Sequence, residues 1–458
     1  MEKSKPTRVA IVGSGMAGLV TAYLLQRDGR YDVTIFESGN TLSLDAASVS
    51  TNNAAQGPSR IDLPMRAFAG GYYNNLKRMY DYLGVAYRSQ AFLFEFARAS
   101  PPAADNQEDG TDSTYFVHAS NLHQLFPPRP SGMSTIAYWK EVPCLIVCYL
   151  WFSICCFLVA PYSSTSGSES LEEYLRRIWL PKYFISFYLL PLISSVTTCP
   201  HQTLLGFPAS DVIDYKRQTH AMPHYTVSNG VKTVQDTLVH GINYELSAAV
   251  LAVWSNMNGV TIRWRKMGPG QDTLHEDVYD RVVLAVAPDV VGKIYEPLSR
   301  HMNRIPTTPV ESLVQKYDST NPKIRTADRH NSQLIRLRTS ITGISRTESR
   351  HVQPCGATVI TCPFTPIDSS LLLHSAKFTR VLRTPESRRV VNAIFKETRQ
   401  VSVSEKALPV WRNGDDNVWL AGGWCWDGMV LLEGCVVSAM RVADAFGVEI
   451  PWRASARK

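Results

Sequence analysis

Gly13, Gly15 and Gly18 form a Gly-x-Gly-x-x-Gly turn directly after the apolar run 9–12, and an acid, Glu37, closes the next apolar segment about 20 residues on. Each glycine answers a separate physical demand. The first permits a tight strand-to-helix turn, the second lets a pyrophosphate approach the backbone at a helix N-terminus, and the third lets that helix lie close on its sheet. Glu37 is placed to accept hydrogen bonds from the two hydroxyls of an adenosine ribose, and a phosphorylated ribose would be repelled there. The chemistry is that of gripping an unphosphorylated dinucleotide, with Ser14, Met16, Ala17 and Ser38 completing the candidate site. Its place at the start of the sequence predicts FAD rather than NAD.

A second constellation stands near the other end. Ala421, Gly422 and Gly423 close an apolar run, and Leu432, Glu433, Gly434 and Cys435 open an apolar helix that ends near Gly447. A buried strand ending in glycines, followed by a helix that starts with a small residue, offers another helix N-terminus to an electron-rich group. Between the two blocks, 279–287 contains the unbroken apolar core Val282 to Val286, the pattern of a strand buried on both faces of a parallel sheet.

These residues need an α/β scaffold to bring them together. The spacing predicts a Rossmann-type dinucleotide-binding domain in three pieces, 1–99, 226–300 and 411–458, interrupted by an α+β substrate domain, 100–225 and 301–410. Residues 9–37 read as strand, helix, strand, 67–83 as a helix, 260–265 as a strand, and 100–132 and 162–168 as loops. Residues 142–160 are uncharged and strongly apolar; as a helix they would reach about 28 Å, near a bilayer's hydrocarbon thickness. A single crossing would put the Gly13 turn and the Gly423 block on opposite sides of a membrane, although both must meet one ligand. The run is therefore expected to be a buried or substrate-lining helix, or to lie in a membrane interface without crossing. A later apolar run, 183–196, is shorter and broken by Pro191.

The net charge of +7 arises from scattered basic residues, which fits a solvated surface with some attraction to anionic lipid and not a nucleic-acid site. Nine cysteines and eleven histidines show no metal-ligand spacing, so no metal is expected. The odd cysteine count fits reduced thiols in a cytoplasmic protein, possible membrane-surface contact aside, and residues 1–7 leave no room for a cleavable secretory signal.

Taken together, the Gly13 turn, the Val282 to Ala285 strand and the closing Ala421-Gly422-Gly423 with Glu433-Gly434 resemble the flavin-containing amine oxidase superfamily, in its branch of predicted NAD/FAD-binding oxidoreductases. Relatives of that superfamily include phytoene desaturases, protoporphyrinogen oxidase and flavin-dependent fatty-acid isomerases. The resemblance implies FAD as cofactor. It also implies that Gly422, Gly423, Glu433, Gly434 and Cys435 meet the flavin, that Met65 and Arg66 pass beside its ring, and that Val250 and Ala285 lie along the adenosine and its turn. One departure is plain: where amine oxidases carry Gly-Gly-Arg after the ribose acid, this chain has Thr41 to Ala46, so Ser43, Ser48 or another loop must serve the pyrophosphate. Cys425 follows the final strand, whereas the superfamily's flavin-linked cysteine precedes it, so noncovalent FAD is expected.

The resemblance implies an FAD-dependent oxidoreductase that removes a hydride from a C–N or C–C bond of a lipophilic small molecule, with oxygen or another electron acceptor. Two alternatives stand beside it: a flavin-dependent isomerase or cyclase with no net redox change, and a non-catalytic flavoprotein subunit. No catalytic residue is assigned. Arg66, Gln315 and Lys316 are candidates for the flavin's border, and Trp424 and Trp426 for an aromatic wall.

Overall fold

Consecutive apolar residues can all be buried only in a strand covered on both faces, and three such runs lie side by side. Thr7–Val12 is the centre of a five-stranded parallel sheet, between Tyr31–Phe36 and Arg281–Leu284, with Asn243–Glu245 and Val418–Leu420 at the edges. Ile11 pairs with Ile35 on one side and Val283 on the other, and all three are fully buried. The computed structural model describes residues 5–53, 57–99, 113–119, 127–130, 132–164, 167–268, 273–316, 332–340, 343–395 and 411–453.

Alternate side chains of this sheet enter different cores. Val9, Ile11, Val33 and Ile35 pack with helices Met16–Asp28, Val231–Val239 and Leu432–Ala445. Ala10, Val12, Phe36 and Leu284 face an antiparallel meander of Ala248–Asn256, Gly259–Lys266 and Thr273–Tyr279.

A second sheet has seven strands in the order Leu372–Val381, Thr307–Gln315, Thr358–Thr361, Arg346–Val352, Gln333–Ser340, Phe92–Arg98 and Ser113–Ala119. Its pairs are antiparallel except Gln333–Ser340 with Phe92–Arg98. Phe92 and Phe96 share a core with Leu145 and Phe152 of the long helix Thr135–Leu158, and with Val212 of helix Ala209–Thr219.

Several expectations are corrected here. Phe92–Arg98 falls within 1–99 but belongs to the larger sheet, because the alternation Phe92, Phe94, Phe96 suits a strand and not the dinucleotide domain's helices. The helix expected over 67–83 starts only at Asn74; Phe68–Ala69 is a strand, and the left-handed Gly71, φ +82, breaks the chain between them. Much of 100–132 lies outside the described residues, but Ser113–Ala119 within it is a strand and not a loop. Residues 162–168 include a two-residue hairpin, Ser163–Ser164 with Gly167–Ser168. The parallel strand expected over 279–287 is confined to Arg281–Leu284, since Tyr279 ends the preceding antiparallel strand. The apolar helix is longer than 142–160 at its start, with Ser134 capping it by accepting from Ala137 N at 3.2 Å. Around Pro191 the chain stays helical, a wider π-type turn at Ile185–Leu189 absorbing the missing donor.

Candidate functional site

The N-terminal turn is built for a backbone that comes close to its neighbours. Gly13 has φ +102, and a Cβ there would stand 2.7 Å from Ala285 O and 2.9 Å from the Val286 side chain. Gly18 packs directly against the Gly13 carbonyl and lies beside Ala285. Gly15 differs: a Cβ there would meet nothing nearer than Ser43 Oγ at 3.8 Å, so the space before the helix N-terminus is open. Ser43, and not Ser48, stands at this opening; Ser43 N donates to Ser14 Oγ at 2.8 Å, while Ser48 Oγ accepts from Leu63 N.

Glu37 is buried over this turn. Its carboxylate accepts from Ser14 N at 3.1 Å, from Ser14 Oγ at 2.5 Å and from Gly39 N at 2.8 Å, with the exposed Ser38 hydroxyl at 3.3 Å. The start of the strand bearing Val250 is tied to the same loop through Ala248 N donating to Glu37 O at 2.8 Å. Val250 itself sits at a bulge, opposite Trp264, half-buried beside the meander core. Met16 and Ala17 are buried in the first turn of the helix.

The C-terminal block meets this turn through Cys435. Its thiol lies near the backbone N–H groups of Ala17 and Gly423, and burial pushes its pKa up to about 11, so it is a neutral thiol. Gly434 is pressed against its surroundings: a Cβ there would be 2.5 Å from Gly423 O, so the helix can start this close only with glycine. Gly422 N donates to the buried Ser438 Oγ at 2.9 Å. The Glu433 carboxylate turns away from this face and caps helix Asn74–Leu83, accepting from Asn75 N at 2.9 Å, Asn75 Nδ2 at 2.7 Å and Leu76 N at 3.0 Å. Arg383, fully buried, holds the loop before it by donating to the carbonyls of Trp426 and Gly428 at 2.9 and 3.0 Å, and it faces Asp211 at 3.6 Å.

Gly423 and Cys435 also line a cavity of about 900 Å³, together with Met65 and Arg66. From there it extends between Phe92, Phe94 and Phe96 of the larger sheet and Leu145, Tyr149 and Phe152 of the long helix. Two guanidiniums stand in its wall. Arg66 donates to Leu44 O at 3.0 Å, while its buried Nε has no partner among the described residues. Arg380 donates to Thr198 Oγ1 and Val196 O, both at 3.0 Å. Burial pushes the pKa of each below the usual arginine range, and Arg66 acts in the same direction on Arg380. Neither makes an ion pair among the described residues. His351, also in the wall, holds Gln333 Oε1 at 2.7 Å and Gln353 Nε2 at 3.0 Å, and burial lowers its pKa to about 4.

The remaining sequence candidates fall elsewhere. Lys316 is exposed, with its ammonium on Ser370 O at 3.3 Å, and neither it nor Gln315 reaches the cavity. Trp424 donates to Val286 O and Trp426 to Met429 O, so both indoles are packing groups outside the cavity wall. The aromatic wall comes instead from Phe92, Phe94 and Phe96, which their period-two spacing could have signalled; Arg380 and His351 left no comparable mark in the sequence.

Residues 11–83 match the model of the family of NAD(P)-binding Rossmann-like domains. The fold of the whole chain is similar to that of a CLA-producing fatty acid isomerase from P. acnes, at 11% identity and a TM-score of 0.56, over 98% of this chain and 100% of that one. It is also similar to an oxidoreductase from Methanosarcina mazei, at 10% identity and a TM-score of 0.54, over 95% and 100% of the two chains. No curated protein matches the chain in sequence. The chain carries a Rossmann-like dinucleotide-binding domain within an α/β fold that it shares with an oxidoreductase and an isomerase.

Proposed function

We propose that the chain is an FAD-dependent oxidoreductase of the amine-oxidase-like kind, acting on a C–N or C–C bond of a lipophilic small molecule. The observation that supports it is the continuity from Glu37, past the open Gly15 turn and the Ala17–Cys435–Gly423 junction, into the cavity. An acid on the turn, an open space before the helix N-terminus and an apolar chamber reached through Cys435 suit a dinucleotide whose reactive ring ends beside the substrate. When bound, FAD supplies hydride acceptance, and oxygen or another acceptor takes the electrons on.

The residues of the chain bind, orient and exclude water. Glu37 and Gly39 N would hold the ribose, the N-terminus of helix Met16–Asp28 with Ser43 the pyrophosphate, and Gly423, Cys435 and Arg66 the ring. Attachment is noncovalent in this reading: Cys425 is fully buried away from the cavity, and the Cys435 thiol is neutral. Phe92, Phe94 and Phe96 keep the chamber dry, and the cationic end repels a protonated amine.

A second reading, a flavin-dependent isomerase with no net redox change, gains from that cationic end. Two guanidiniums at one part of an apolar cavity suit an acid with a hydrocarbon tail, and one structural neighbour is a fatty acid isomerase. Anaerobic mixing with unsaturated long-chain acids and with lipophilic amines tests both. A flavin that bleaches and stays bleached until air is admitted supports the oxidoreductase, and a moved double bond with no lasting bleaching supports the isomerase. Neither change with any member of the panel contradicts both.

A further inference from the structure

Helix Thr135–Leu158 is apolar on two faces, and one of them is uncovered. Tyr138, Val142, Leu145, Phe152 and Cys156 recur at helical spacing and are buried in a core shared with helix Ala209–Thr219 and with Phe92 and Phe96 of the larger sheet. The opposite face presents Ile136, Trp139, Val147, Leu150, Trp151 and Leu158, each between 46% and 78% exposed. Soluble monomers rarely leave so long an apolar strip in water.

The strip continues onto neighbouring segments. Trp151 Nε1 donates to Ile178 O at 2.7 Å, which brings it beside the turn where Trp179 is 86% exposed. Tyr183 donates to Glu141 at 2.7 Å, so the next helical segment joins the same surface. Exposed cations stand on these same elements, Lys140, Arg176 and Lys182, while the exposed acids Glu172 and Glu173 lie at the other end of the short helix that ends beside Arg176. Glu141, the acid within the strip, is held by the hydroxyls of Tyr183 and Tyr188. Ile146 and Leu150, about half exposed, also line the cavity, so its mouth borders the strip.

We propose that this face lies on an anionic lipid bilayer, parallel to its plane, and that the cavity takes its lipophilic ligand from the lipid. Indoles at Trp139, Trp151 and Trp179 suit the headgroup level, and the cations suit anionic headgroups. A crossing helix could not keep its buried face in that core, where Lys216 of helix Ala209–Thr219 donates to Tyr149 Oη at 2.9 Å. A second copy of the chain docked here by a two-fold axis would gather Lys140, Arg176 and Lys182 of both copies in one interface. The cavity's part in this rests on its reading as a lipophilic substrate site; the docking does not.

Flotation with vesicles of phosphatidylcholine, alone or mixed with phosphatidylglycerol, tests it on the full chain, with flavin content measured in parallel. The chain should float with the mixed vesicles, less so in high salt. Val147→Glu with Trp179→Glu should reduce partition by about tenfold or more, with thermal unfolding unchanged because both side chains are exposed and neither lines the cavity. Leu274→Glu, an exposed apolar position on the meander, should float like wild type. Wild type that stays with the aqueous phase overturns the proposal, as does equal flotation of the double variant. A wild-type dimer that the double variant splits, with no vesicle binding, assigns the face to a second copy and also overturns it. Floating protein without flavin counts against the proposed function alone.

Discussion

At the scale of single residues, Gly15 and Glu37 divide the work of the N-terminal turn between space and charge. A valine at Gly15 would project into the opening beside Ser43, so Gly15→Val should abolish flavin retention in a folded protein. Glu37→Ala should weaken it by about 1.5 to 3 kcal/mol, the value of charge-assisted hydrogen bonds, as measured by flavin titration. These two residues were legible because a turn that must admit a phosphate leaves a fixed pattern of glycines. Arg380 and His351 were not, because a lone arginine on a strand reads as a solvated charge until the fold buries it.

His351 and His201 carry a pH signature. Burial lowers both from an ordinary value of 6.5 to about 4, so each stays neutral in the folded protein while the unfolded chain takes up a proton first. Their stabilising effect is complete above pH 6.5 and is lost as pH falls through 4. Denaturant unfolding across that window should show wild type losing stability more steeply than His351→Gln. Equal slopes would contradict a buried neutral imidazole at this position.

At the scale of elements, the parallel strands announced themselves through unbroken apolar runs, whereas the seven-stranded sheet is made of half-exposed antiparallel strands with mixed patterns. Thr307–Gln315 and Leu372–Val381 alternate irregularly, and their register is set by partners distant in sequence. The loop between the final strand and helix Leu432–Ala445 depends on Arg383, which bridges its carbonyls to Asp211 on helix Ala209–Thr219. Arg383→Met should destabilise the protein by about 1 to 3 kcal/mol, since three carbonyls lose their donor while Asp211 keeps Arg388 at 2.7 Å. Chemical denaturation measures this, and a change below about 1 kcal/mol would show the loop to be held by other contacts.

For the whole molecule, the seven-stranded sheet, the long helix and the segment from Gly423 to Cys435 after the last parallel strand enclose a cavity whose wall draws on residues from Pro64 to Cys435. A ligand spanning the N-terminal turn and the Gly423 block should join them energetically. Free FAD at 100 times its dissociation constant should add about 2.7 kcal/mol to unfolding stability, and Gly15→Val should remove that gain. The α/β class and the return of the chain to its first sheet at Arg281–Leu284 and Val418–Leu420 were readable from the sequence, because those strands kept an apolar core, whereas the edge strand Asn243–Glu245 has none. The cavity was not, since its wall joins Phe92, Leu145 and Arg380 only after folding. The most direct measurement of the central claim is the visible absorbance spectrum of the purified chain, followed by acid precipitation and identification of what is released. The account predicts a flavin spectrum with FAD recovered in the supernatant, whereas a colourless protein that gains no flavin on reconstitution would contradict it.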